Sequence, residues 1–520
     1  MKAGDIDIKK AVASEPRDDK YIKNTITNQN EDDDPPEHHE NYEKLNKLIR
    51  GFFVSSSLER ILKDESIESD QKTIYFDILK QSSASVISLH MLGYTPFDDS
   101  VATQLAVSLP PTITSFTFTS DGSSVTQHGI QTIFRGLANL TNLEMLLLYD
   151  NSIDDETCSV LANAIRNNNN VRELYLTNNK IGVEGMKAIS EALKNNHILE
   201  LLALSNNQLN VDGAKAIAAF LKMNNTLKNL DLTDNKVGDE GVKAVADTLL
   251  TYQCLEELDL GGNEIFDEGA ISIAAVLRIK ENNTLKALSL YRNEIGDKGV
   301  KALADALSTN HCLEELHLGG NRISDEGAIA IAAALKINNT LKILGLSSNK
   351  VGDKGVKALA EALSTNDCLE KFDLGGNRIF DEGAIAIAAA LKINNTLKML
   401  TLTSNKVGDK GVKALADALL TNHCLEDLNL DDNIVSDEGA IAIAAALRVN
   451  STLKELYLDV SRISDKGAIS IAFSLKLNRS LKYLNLKHNS EVDKQTMQYI
   501  TSTMRKRNKV VKHDWGVGYY

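Results

Sequence analysis

The chain has 520 residues, of which 43% are apolar, 25% charged and only 5% aromatic. Lys and Arg number 57 against 71 Asp and Glu, a net charge of −14, which argues against tracking a phosphate backbone or binding an anionic membrane. The apolar fraction is too high for a disordered chain, and five cysteines are too few for a disulfide scaffold.

The first residues, MKAGDIDIKKAV, mix both charges and contain no apolar signal core. No apolar run approaches the roughly 18 residues of a membrane span, so the chain reads as cytoplasmic, with the nucleus as a second compartment. Residues 1–42 are predicted to be a disordered acidic leader, centred on Glu31 to Glu40. Such a segment serves solubility or competes for a basic partner. Residues 43–85 are predicted to form a helical N-terminal cap, from the spacing of Leu45, Leu48, Ile49, Phe52 and Phe53 and then Leu58, Ile61 and Leu62. All six prolines lie at or before Pro111, which leaves the later strands and helices uninterrupted.

Residues 86–490 carry one period. The template L-x-x-L-x-L-x-x-N-x-[IV]-x-[DE]-x-G places asparagine at 151, 179, 207, 235, 263, 293, 321, 349, 377, 405, 433 and 489, with Ser461 in the remaining slot. Spacing is 28 throughout except for 30 between Asn263 and Asn293, and two degenerate units precede, giving about fifteen repeats. Leu-x-Leu predicts a short strand with the leucines inward. The asparagines are expected to form a ladder satisfying backbone groups where the chain turns away from the strand. Asp297, Asp325, Asp353 and Asp381 are expected to accept free amides at a helix start. The glycine two residues later is expected to permit close approach of the helix to the strand layer. Leu359 and Leu363, one helical turn apart, face inward. Helices at roughly 8–10 Å against strands at about 5 Å would curve the stack with strands on the concave side. Asn224, Asn338 and Asn394, in Asn-x-Thr triplets, read as part of the repeat rather than as glycosylation sites.

The string L-x-x-L-x-L-x-x-N-x-I-x-x-x-G-x-x-x-L-x-x-x-L resembles the ribonuclease-inhibitor-type leucine-rich repeat, similar to the repeat half of NOD-like receptors and to the Ran GTPase-activating protein. The resemblance implies an α/β solenoid, a horseshoe with parallel strands on the concave face and helices on the convex face. From about residue 235 the units alternate in a 56-residue super-repeat, as in 349–370 and 377–398, which internal duplication explains.

Motifs for chemistry are missing: no G-x-x-x-x-G-K-[ST], H-E-x-x-H, G-x-S-x-G or paired C-x-x-C occurs. No cofactor, metal or catalytic residue is therefore expected. Cys254, Cys312, Cys368 and Cys424 recur at one repeat position and read as small buried residues. Residues 491–520 are expected to form a C-terminal cap helix and a basic tail, with Trp515 in the cap. Arg505 to Lys512 fits a helix C-terminus or a nuclear-import signal.

Residues six, four and two places before each asparagine should point from the concave face. Those proposed to bind a partner are Tyr149, Tyr175, Asp231, Glu257, Asp259, Tyr291, Glu315, His317, Lys371, Asp373, Asp427, Asn429 and Tyr457. Their acidic bias calls for a protein partner with a basic face. The expected function is a non-enzymatic protein-binding scaffold. The alternatives are a GTPase activator similar to the Ran-specific one, or a sensor subunit similar to NOD-like receptors without their nucleotide-binding domain. Against the activator, the C-terminal tail here is basic where that family carries an acidic one. On the convex side Lys301/Asp305, Lys357/Glu361 and Lys413/Asp417 suit i,i+4 pairs. Ile271, Ile329, Ile385 and Ile441 instead form an apolar ridge, covered by lysine stems or used for self-association.

Overall fold

The computed structural model describes residues 97–120, 123–166, 168–279, 284–505 and 510–512, with Phe76, Leu79, Lys80 and the backbone of 86–90. The expected acidic leader, nearly all of the expected helical cap, and Trp515 lie outside the described residues. The chain divides into two compact units, 1–143 and 144–520.

In the first unit, strand β1 (Val86–His90) pairs in parallel with β2 (Ser115–Thr119). Helices α1 (Asp99–Ser108) and α2 (Gln127–Leu137) follow one strand each. The core is aromatic: Phe97, Phe116, Phe118 and Phe134 are fully buried, with the Phe97 and Phe118 rings 5.6 Å apart.

The second unit is a leucine-rich-repeat solenoid. Its strands run from β3 (Met145–Leu147) to β16 (Val510–Lys512), hydrogen-bonded in chain order and all parallel, each followed by a helix up to α15 (Lys494–Arg505). Register aligns equivalent positions: Leu316, Leu344, Phe372, Leu400 and Leu428 lie side by side and are buried. Apolar stacking of these strands, with the helix leucines behind, makes one continuous interior that no single repeat could close alone.

Asparagine forms the expected ladder. Asn349 donates through Nδ2 to the carbonyls of Leu318, Leu346 and Ser347 at 3.0, 3.1 and 3.1 Å, and its Oδ1 accepts the Ile323 N–H at 3.0 Å. Each asparagine thus ties its own turn to that of the preceding repeat. A second ladder at the other end of the helices went unread in the sequence. Asn366 donates to the carbonyls of Leu335 and Asn338 at 2.9 and 3.1 Å and accepts the N–H groups of Cys368 and Leu369 at 3.2 and 2.9 Å. Asn224, Asn338 and Asn394 belong to this ladder and are buried.

The aspartates differ from expectation. They accept amides at a helix start, but at the start of the following repeat's helix. Asp297 Oδ1 accepts the N–H groups of Ser324 and Gly327 at 2.8 and 3.0 Å, and Asp325 those of Gly352 and Gly355 at 2.7 and 2.9 Å. Each carboxylate therefore clamps one repeat to the next at the positive end of a helix. This also corrects the reading of the glycines. A Cβ at Gly327 would stand 2.6 Å from Asp297 Oδ1, and one at Gly355 2.8 Å from Asp325 Oδ1. The close approach is to the neighbouring aspartate rather than to the strand layer.

The helix-face charges are corrected as well. Glu361 pairs with Lys336 at 3.7 Å and Asp305 with Arg278 at 3.8 Å, both reaching back to the preceding repeat. Among the described residues the i,i+4 pairs with Lys357 and Lys301 do not form, because the basic C-cap of the adjacent helix is nearer. Ile329, Ile385 and Ile441 are 36%, 44% and 37% exposed and Ile271 is part-buried, so the ridge is only partly covered.

Candidate protein-binding surface

The open face of the sheet is built from the residues expected, because strand alternation sends every second side chain away from the leucine core. Tyr175, Asp231, Asp259, Glu315, His317, Asp373, Asp427, Asn429 and Tyr457 are part-buried on this face, while Glu257 and Lys371 are exposed. Tyr149 and Tyr291 follow their strands, where the Arg292 guanidinium stands 5.7 Å from the Tyr291 ring centroid. Four further middle positions, Ala203, Gly345, Thr401 and Asn485, prove to be buried.

Several of the polar residues have a structural task. Asp231, Asp259, Asp373 and Asn429 each accept through Oδ1 the backbone N–H two residues on, at 2.9 Å. Those bonds close the strand ends, so these side chains are held rigidly on the face.

Along the strand entry, charge alternates between neighbouring repeats. Lys286 pairs with Glu256 at 2.6 Å, Lys342 with Glu314 at 2.7 Å, Lys398 with Glu370 at 2.8 Å and Lys454 with Glu426 at 2.6 Å. The 56-residue alternation thus carries a cross-strand reason that duplication alone did not supply: opposite charges face each other in adjacent parallel strands. On the open face the central strands keep charges apart. Lys371 lies between Ile343 and Met399, and Asp373 between Gly345 and Thr401.

The last strands abandon this separation, as do the earlier strands in which Asp231 stands opposite Asp259. Asp427 stands directly opposite Glu455, and Asn429 opposite Tyr457. Burial and then the Glu455 and Asp431 carboxylates push the Asp427 carboxyl up to about 7. Burial pushes Asp431 up to about 6, with the nearby Asp459 carboxylate adding to the rise, although the Asp459 N–H bonds to it. Tyr457 donates its hydroxyl to Glu455 at 2.6 Å and stacks on Tyr483 with ring centroids 4.9 Å apart. Burial and that hydrogen bond hold its phenol well above the usual range. Asp431 also accepts the Asp459 N–H at 2.5 Å and the Asn485 amide at 3.4 Å, and Asp459 meets His488 Nδ1 at 2.8 Å. Asp431 and Asp459 were missed in the sequence. The signal was there, since the equivalent positions in the central repeats hold Gly319, Ser347, Gly375 and Thr403.

Local rules fail in the same place. Val460 has φ 48°, where the equivalent residues are Gly320, Ser348, Gly376, Ser404 and Asp432. A β-branched residue there is strained. Ser461, in the asparagine slot, is too short to reach the Val435 N–H in the way Asn433 reaches that of Val407 at 3.0 Å.

The four recurring cysteines, Cys254, Cys312, Cys368 and Cys424, are part-buried, which corrects the expectation that they are buried; Cys158, on a helix, is buried. Cys312 and Cys368 line a shallow groove of about 520 Å³ along the loops entering the strands, with Thr340, Lys342, Glu370 and Thr396. Burial raises both thiols, which suppresses thiolate chemistry. Among the described residues, no group of His, Cys, Asp and Glu is placed to hold a metal, and no helix is long and apolar enough to cross a membrane.

Comparison with curated proteins finds no match. Similar solved structures include the internalin inlF of Listeria monocytogenes, 22% identical with a TM-score of 0.41, covering 67% of this chain and 87% of that one. Another is actin-binding site 2 of leiomodin-1, 25% identical with a TM-score of 0.20, covering 30% of this chain and 73% of that one. Similarity that weak transfers no site. The profile of the MHP1/HER1/GIP3 LRR domain matches residues 176–489, well over half of the chain. The repeat unit, both asparagine ladders and this match agree: the chain belongs to the MHP1/HER1/GIP3 leucine-rich-repeat family.

Proposed function

We propose that the chain is a non-enzymatic scaffold that binds a protein with a basic face, in the cytoplasm, through the strand face of its repeats. The solenoid of residues 86–490 is the binding part in this reading, and the leader and basic tail are appendages. The observation that carries it is the apposition of Asp427 to Glu455 beside the stacked Tyr457 and Tyr483. Like charges opposite one another destabilise a sheet, and the neighbouring repeats set each charged residue at this position against an apolar one, as with Lys371 between Ile343 and Met399. A lysine or arginine between the carboxylates would relieve the repulsion and lie against aromatic faces. Affinity would rest on these few anchors, with the acidic residues orienting the partner.

Affinity capture from cell extract tests the reading. The intact chain is compared with Asp427→Asn/Glu455→Gln/Tyr457→Ala/Tyr483→Ala at low and high salt. Basic proteins should be retained by the former, released by salt and lost from the latter. Capture of the same proteins by both would reject the surface.

A further inference from the structure

The turns that end the helices carry an apolar strip that the fold does not require. Sixteen positions past the ladder asparagine, alternate repeats place threonine. Thr309, Thr365 and Thr421 each donate a hydroxyl to a carbonyl of the last helical turn, at 3.1, 3.1 and 3.3 Å. That bond satisfies a group the helix end leaves open. From Asn321 on, the other repeats place Ile337, Ile393, Val449 and Leu477 there, which offer no such bond and are 65%, 67%, 67% and 66% exposed. Leu420, 41% exposed, falls between Ile393 and Val449. Its counterparts Ser308 and Ser364 also bond back to helix carbonyls, at 3.2 and 3.0 Å.

Four consecutive repeats therefore hold a large exposed aliphatic side chain where serine or threonine would serve the helix better. Exposed apolar side chains repeated on successive repeats in this way point to a binding site. Its charge selects the occupant. Lys392, Arg448 and Lys476 immediately precede Ile393, Val449 and Leu477 and are exposed, with Lys476 standing over the Phe473 and Tyr499 rings. One repeat pair earlier Lys336 is engaged by Glu361, and two pairs earlier Arg278 by Asp305. Among the described residues, Lys392 and Arg448 form no ion pair.

We propose that this edge docks an acidic amphipathic helix of a partner protein, with Ile393, Leu420, Val449 and Leu477 as its apolar anchors. The spacing suits such a helix. Stacked helices place successive anchors roughly 8–10 Å apart, and seven residues of a docked helix advance about 10.5 Å. Leucines at heptad spacing would thus meet one anchor per repeat, and flanking carboxylates would meet the cations.

The test uses the full chain and its Ile393→Thr/Leu420→Ser/Val449→Thr/Leu477→Thr variant, whose new residues are those of the alternate repeats. Equal or higher thermal stability of the variant verifies its fold. The probe is a fluorescent synthetic helix with leucines at heptad spacing and glutamates on the flanks, read by anisotropy. The intact chain should bind it at least about tenfold more tightly than the variant does, and also more tightly than it binds the same helix with lysines for glutamates. Tyr457→Ala/Tyr483→Ala should leave this binding unchanged, so failure here is separable from failure of the strand-face reading. Absent or equal binding overturns the proposal. So does sedimentation showing a dimer that only the variant loses, which makes the occupant a second copy. Association with phosphatidylcholine–phosphatidylserine vesicles that only the variant loses assigns the strip to lipid and overturns it as well.

Discussion

The repeats from Asn293 to Asn405 and those from Asn433 to Asn489 share one set of framework bonds and differ in what they ask of it. In the first group, acids and bases alternate, Lys371 is insulated by Ile343 and Met399, and every ladder slot holds asparagine. In the second, carboxylates face each other, a valine occupies a left-handed position and a serine interrupts the ladder. Stability and surface are therefore separable in this molecule. The central repeats show what the framework prefers, and each departure in the last repeats is local and measurable. Departures that gather on one patch are the pattern expected of a site under functional demand.

Substitutions can break that comparison in order of size. Asn349→Ala should cost roughly 3 kcal/mol, because it strands the buried Ile323 N–H and leaves the Leu318 and Leu346 carbonyls with one amide donor each, from Asn321 and Asn377. The urea midpoint reads the loss. Gly355→Ala should cost about 2 kcal/mol, since the new methyl meets Asp325 Oδ1 at 2.8 Å and the Ala328 Cβ at 2.9 Å. Gly352→Ala, whose nearest contact is 3.4 Å, should stay within about 0.5 kcal/mol. Equal losses from the two glycines would show that the aspartate clamp between repeats is misread.

In the last repeats the sign should reverse. Ser461→Asn should gain about 1 kcal/mol by reaching the Val435 N–H and restoring the ladder. Asp427→Asn should gain roughly 0.5–1 kcal/mol at pH 8. Its carboxyl titrates near 7 in the folded chain and near 4 when unfolded. The native state therefore binds the extra proton between those values, and wild-type stability falls as pH rises through that window. The advantage of the asparagine should accordingly vanish at pH 4, as thermal melts at the two pH values would show.

Much of the fold was legible because the leucine and asparagine positions answer to burial and to backbone satisfaction, which repeat identically in every unit. What escaped involved a partner one repeat away. Asp297 has the look of a cap for its own helix, yet its carboxylate serves Ser324 and Gly327. Lys357 and Glu361 have ideal helical spacing, yet Glu361 turns to Lys336. Spacing along one helix cannot weigh a neighbour brought alongside by stacking. The face positions are legible from alternation, but the strand-end bonds that occupy Asp259 and Asp373 are not. The distinctive cluster appears only when Asp427, Asp431, Glu455 and Asp459 are compared across adjacent strands.

The most direct measurement is binding of a fluorescent lysine-rich peptide to the full chain, with two carboxylate pairs neutralised in turn. Asp427→Asn/Glu455→Gln should weaken binding at least about tenfold. Asp231→Asn/Asp259→Asn, which removes the same charge from the earlier repeats, should change it little. Wild-type affinity should also fall as pH drops below about 7 and then 6, where Asp427 and Asp431 take up protons. Equal losses from both pairs, or no loss from the first, would contradict the assignment of the partner site to the last strands.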